Sequence, residues 1–125
     1  MTPEETREFV RRYFEQLRED KDPTRLREYV AEQPLLEHIA FYESVLPGYW
    51  LELLDTVVEG DKVACRMVLH GTHKGELMGI PPSGKTVAVD GIIIYQLANG
   101  KIVDHWMQTD SVGMLQQIGA LPTPA

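Results

Sequence analysis

His73 and His105 are the histidines of this chain whose positions suit them to move protons near neutral pH. An imidazole at His73 or His105 could orient a carboxylate, donate to a carbonyl or shuttle a proton. Each also has a plainer reading, His73 as a hairpin histidine bonded to backbone and His105, between Asp104 and Trp106, as a structural or interface residue. The four histidines of the chain, His38, His70, His73 and His105, fall into no recognised metal-ligand spacing, and His70 with His73 is too weak a pair to predict a metal. Ser44, Ser83 and Ser111 sit in helix, turn and cap contexts without a nucleophile elbow. Ser83-Gly84-Lys85 lacks the glycine spacing and the following helix of a phosphate loop. Arg66, Asp90 and Asp110 would activate a water for epoxide opening only if their strand faces coincide. Asp110, followed by Ser111-Val112-Gly113, also reads as a helix cap.

The elements that must position these groups fall into two blocks. Thr2, Pro3 and Glu5 form a helix start with a capping box, and Phe9, Val10, Tyr13, Phe14 and Leu17 follow at helical spacing. Asp22-Pro23 breaks that helix and opens a short second one carrying Leu26, Tyr29 and Val30, until Pro34 interrupts. A third is predicted from about Leu35 to Val45, with Leu35, Leu36, Ile39, Ala40 and Tyr42 toward a core and Pro47-Gly48 closing it. From Tyr49 the texture changes to β-branched and aromatic residues. Strands are predicted over Tyr49–Val58, Lys62–Thr72, Thr86–Leu97 and Lys101–Met107, separated by turn signals. Helices first and strands after, with short turns between strands, predict an α+β fold: a curved antiparallel sheet of about four strands against three N-terminal helices. Residues 113–119 suit one closing helical turn, and residues 121–125 read as a tail.

Alternation puts Val63, Cys65, Met67, Leu69 and His73 on one face of the second strand and Ala64, Arg66, Val68, His70 and Thr72 on the other. The sheet's outer face, with Ala64, Val68, Ile92 and Ile94, is apolar enough to need covering, which predicts a homodimer.

A chain of 125 residues suits one domain with a single core. A formal charge of −7 opposes binding to nucleic acid or anionic lipid. Cys65 is the only cysteine, which excludes an internal disulfide and fits a reducing compartment. The acidic N-terminus is no secretory signal, and no apolar run approaches the roughly 20 residues of a spanning helix. These features predict a cytoplasmic protein without a membrane partner.

Several stretches resemble the SnoaL-like polyketide cyclase (ester cyclase) family of the nuclear transport factor 2-like superfamily. They are Gly71-Thr72-His73, Gly79 to Lys85, Gly100-Lys101-Ile102-Val103-Asp104-His105-Trp106, Asp110 and Leu115-Gln116-Gln117-Ile118-Gly119. The resemblance implies a cone-shaped domain with an internal pocket, and intramolecular aldol ring closure on a small apolar carbonyl compound without metal or organic cofactor. It also implies that Asp110 is the acid/base, its pKa raised by apolar neighbours such as Val112 and Met114, with His73 or His105 assisting. Tyr13 then lies over the pocket, and Phe14, Phe41, Tyr42, Trp50, Tyr95 and Trp106 offer an apolar wall. At one position the family's cyclases carry a polar partner, where this chain has Ile93. An apolar residue there cannot hydrogen-bond an oxyanion, which leaves a noncatalytic ligand-binding or oligomerisation module of the same fold as the alternative.

Overall fold

A computed structural model describes residues 1–122. Helix α1, Pro3–Glu19, begins at the expected capping box: Glu5 N–H donates to Thr2 Oγ1 at 3.1 Å and Thr2 N–H to Glu5 Oε1 at 2.8 Å. Its apolar stripe buries Val10, Tyr13, Phe14 and Leu17, each such side chain stabilising the fold by about 1.5–3 kcal/mol. Asp22 caps the single turn α2, Pro23–Leu26, and α3 runs Gln33–Val45 with Leu35, Leu36 and Ile39 buried.

Four antiparallel strands follow in chain order, β1 Trp50–Glu59, β2 Lys62–Thr72, β3 Thr86–Ala98 and β4 Lys101–Thr109, and α4, Ser111–Gln117, closes the fold. The α+β expectation holds, with β1 shifted by one residue and β3 and β4 longer by one and two residues than expected. Asn99 and Gly100, at φ 52° and 74°, make the two-residue turn that right-twisted strands favour. Register shifts at Leu53/Asp55 and Gln96/Leu97 bend the sheet. Its helix-facing side buries Val63, Cys65, Met67 and Leu69 from β2 and Val87, Val89, Ile93, Tyr95 and Leu97 from β3, the faces alternation assigns. Residues 123–125, the last of the expected tail, lie outside the described residues, whereas Leu121 N–H still donates to Leu115 O at 3.2 Å. No helix among the described residues is long and apolar enough to cross a membrane.

Two connections bear on the site. Residues 29–31 are clipped to β4 by a parallel bridge, Val30 beside Ile102, with Ile102 N–H donating to Tyr29 O and Ala31 N–H to Ile102 O, each at 2.8 Å. The β2–β3 loop is pinned by His73, whose ring Nδ1 accepts from Ser83 N–H at 3.1 Å and lies 3.0 Å from Ser83 Oγ.

Candidate active site

The space between α3 and the sheet is a cavity of about 30 Å³, lined by thirteen side chains from α1, α3, all four strands and the segment just before β1. Most of the wall is aliphatic. Its polar groups are His38 and the hydroxyls of Tyr13, Tyr42, Tyr49 and Tyr95. Burial pushes all four phenols above their ordinary range, furthest at Tyr13 and Tyr95, so at neutral pH they are hydrogen-bond donors and not bases. Burial, and then the neighbouring His105, lowers His38 below its ordinary 6.5, which favours the neutral imidazole.

His105 stands on β4 opposite Tyr95 and two residues from Met107, on the cavity side of the strand. Its ring centroid is 5.7 Å from that of His38, and its Nδ1 is hydrogen-bonded to Glu32 Oε1. Both side chains are largely enclosed, 13% exposed for His105 and 11% for Glu32. Chain connectivity explains the meeting: with Val30 level with Ile102 in a parallel bridge, Glu32 comes level with the Asp104–His105 step. Glu32, Asp104 and His105 bring one donor atom each within 4.8 Å of one another, enough for a cation in outline, but the His105 nitrogen facing Glu32 is already committed to it.

Asp110 lies elsewhere. It caps α4, its Oδ1 accepting from Gly113 N–H at 2.9 Å, and it is exposed. Val112 is exposed too, so the apolar shell expected around Asp110 is not formed. Asp110 shares a groove of about 350 Å³ on the outer face with Arg66, Asp90, Ile92 and Gln108. The three charged groups therefore coincide on one face, although among the described residues no ion pair joins them.

Among the expected ligand contacts, Tyr13, Tyr42, Ile93 and Tyr95 line the cavity and Phe14, Phe41, Trp50 and Trp106 do not. Phe14 is core, edge-on to Tyr13 and Tyr95. Trp50 stacks on His70 at 4.4 Å under the Arg18 guanidinium, and Trp106 is half-exposed on the outer face near Lys62. His73 is fully buried, away from Asp110 and His105, and holds its loop. The sequence singles out neither His38 nor Glu32 as a site residue. His38 shares the helical spacing of Leu35, Ile39 and Tyr42, a signal that was available; Glu32, before the helix, gave none.

The family model described as SnoaL-like polyketide cyclase matches residues 44–118. The chain belongs to that family. An aklanonic acid methyl ester cyclase, DnrD of Streptomyces peucetius, is 33% identical over 75 residues, 59% of this chain and 52% of the relative. The nogalonic acid methyl ester cyclase of Streptomyces nogalater is 35% identical over 60 residues, 48% of this chain and 45% of that one. The chain thus spans about half the length of the curated relatives it matches. Among solved structures, TsrD from Streptomyces laurentii superposes with a TM-score of 0.80 at 28% identity, covering 97% of this chain and 99% of that one. A SnoaL-like polyketide cyclase from Agrobacterium tumefaciens, at 19% identity and a TM-score of 0.75 over 89% of this chain and 95% of that one, shares the fold.

Proposed function

We propose that this SnoaL-like chain is a cofactor-independent acid–base catalyst that closes a ring by intramolecular aldol addition, or isomerises, a small apolar carbonyl compound held in the inner cavity. Aldol closure needs a base for a proton alpha to a carbonyl, an environment tolerant of enolate charge, and an acid for the new alkoxide. The observation that carries the reading is the placing of His38 in the cavity wall with His105 beside it, while Asp110 stands on the far side of the sheet. His105 and His38 then move the proton in place of the carboxylate that the resemblance suggested, and the tyrosine hydroxyls supply the hydrogen bonds that Ile93 cannot.

The test uses the named substrate of the relatives. Purified protein is incubated with aklanonic acid methyl ester and the cyclised isomer, equal in mass, is followed by liquid chromatography. His105→Gln is expected to lower turnover on the order of 10²-fold, the scale of a lost acid–base group, and Asp110→Asn, which keeps the cap, to leave it unchanged. The reverse pattern would return the chemistry to Asp110 and overturn this assignment.

One observation favours a second reading. A cavity of about 30 Å³ has room for a single water, whereas sites for drug-sized ligands measure roughly 300–1,000 Å³. Gly91 contributes to the filling: a Cβ there would stand 2.6 Å from Met67 Cε, which occupies the space. A ligand-binding or oligomerisation module without turnover follows if the ester binds and no variant or parent protein converts it.

We also infer that a second copy of the chain covers the outer face. Val57, Ala64, Ile94 and Trp106 form one cross-strand row through all four strands, with Val57 64% and Trp106 48% exposed. Light scattering that returned only monomer would remove this inference.

A further inference from the structure

Resting on the proton-transfer reading above, we propose that Glu32 is the positioning residue of the site, holding His105 with the hydrogen on Nδ1 so that Nε2 is the atom that accepts the substrate proton.

Glu32 leads into α3 as its N-cap residue, yet its side chain makes no cap hydrogen bond, unlike Thr2, Asp22 and Asp110 before the other helices. It turns instead to a histidine 73 residues away. A second carboxylate–histidine pair gives the contrast. Glu52 and His70, 2.8 Å apart across β1 and β2, are 45% and 28% exposed, the open setting in which such pairs contribute little. Glu32 and His105 are at 11% and 13%, where taking a carboxylate out of water costs several kcal/mol unless its partner is well placed. The backbone clip of residues 29–31 on β4 supplies that placement.

An ionised carboxylate can only accept, so the imidazole nitrogen facing Glu32 must carry the hydrogen. In neutral His105 the lone pair is then on Nε2. Around the pair stand Asp104 from β4, His38 from α3, Tyr13 from α1 and Tyr95 from β3; the charge on Glu32 contributes to the raised pKa of Tyr13. In the reaction the substrate C–H proton passes to Nε2 and its electron pair forms the enolate. The enolate carbon attacks the ketone carbon, the carbonyl π pair moves to oxygen, and that oxygen takes the proton back from Nε2. Atoms and charge balance without another reactant.

Nitrogen-15 NMR on the full chain at pH 7.5 reads the tautomer without any substrate, with His105→Gln assigning the ring signals. The expected result is a hydrogen on Nδ1 of His105, its preference lost in Glu32→Leu and kept in Glu32→Gln, whose amide oxygen still accepts. With aklanonic acid methyl ester as the probe, Glu32→Leu is expected to lower kcat on the order of 10²-fold with KM little changed, and Glu32→Gln to restore part of the loss. Hydrogen on Nε2 in the parent protein, or an unchanged tautomer in Glu32→Leu, would overturn the proposal. If Glu32→Leu does not fold, the parent tautomer and Glu32→Gln still decide. No turnover in the parent with the Nδ1 hydrogen in place would overturn the cyclase reading and the proton-accepting role of Nε2, and leave only the tautomer held by Glu32 standing.

Discussion

The two faces of the β3–β4 ribbon use the same strands for opposite purposes. Inward go Ile93, Tyr95 and Met107, into a cavity wall where His38 and the phenols are the polar groups. Outward go Ile92, Ile94, Trp106 and Gln108, beside Arg66, Asp90 and Asp110. The inner face is apolar and poor in charge, so a histidine at its rim acts in surroundings of low polarity. The outer face holds more charge, but water screens it. The surroundings of a carboxylate thus follow from the face it occupies and not from its place in a motif.

The comparison breaks most directly at neighbouring residues. Ile93→Asp, which buries an unpaired charge, is expected to destabilise the fold by about 4 kcal/mol or more in urea unfolding, whereas Ile92→Asp, at 51% exposure, should stay within about 0.5 kcal/mol. If a second copy covers the outer face, the effect of Ile92→Asp shows instead as a lower mass by light scattering. Equal losses of stability at the two positions would mean that the faces are wrongly assigned. Ile39→Ala, in the cavity wall, should cost about 3 kcal/mol and at the same time enlarge the cavity. Calorimetry should then find tighter binding of aklanonic acid methyl ester than to the parent protein; unchanged binding would place the ligand elsewhere.

Asp110→Ala isolates the cap. A loss of about 1 kcal/mol is expected, with Asp110→Asn close to neutral because asparagine caps as well. A stability increase in Asp110→Ala would indicate a carboxylate held at a cost, as functional groups often are. The smallest effect belongs to His38. Its folded-state pKa is depressed, so the unfolded chain binds the proton first as pH falls through 6.5, and its contribution to stability is present above that pH and lost below it. The fall in Tm between pH 7.5 and 5.5 should therefore be shallower in His38→Gln; an identical slope would show that the imidazole is as solvated as in the unfolded chain.

Much of the fold was legible because local signals and tertiary demands agree. The Thr2–Glu5 capping box, the stripe Val10, Tyr13, Phe14, Leu17 and the alternation along β2 each encode burial at the period of their element. The site was less legible. Asp110-Ser111-Val112-Gly113 encodes a cap in three neighbouring residues and does nothing to enclose the carboxylate, and Phe14, Trp50 and Trp106 advertise apolar area without saying which cavity receives it. Glu32 and His105 illustrate the limit, since no spacing links residues 73 positions apart.

The order of helices and strands, the face each side chain takes within its element and, through the motifs, membership in the SnoaL-like family are all written in the linear chain. These depend on interactions among near neighbours, whose geometry the backbone repeats. The outward face of Asp110, the nearly filled cavity and the meeting of Glu32 with His105 arise only in the folded chain. Those outcomes depend on how one element is set against another, through the clip of residues 29–31 on β4 and the bends in the sheet, and contacts between distant residues leave no periodic trace in the chain.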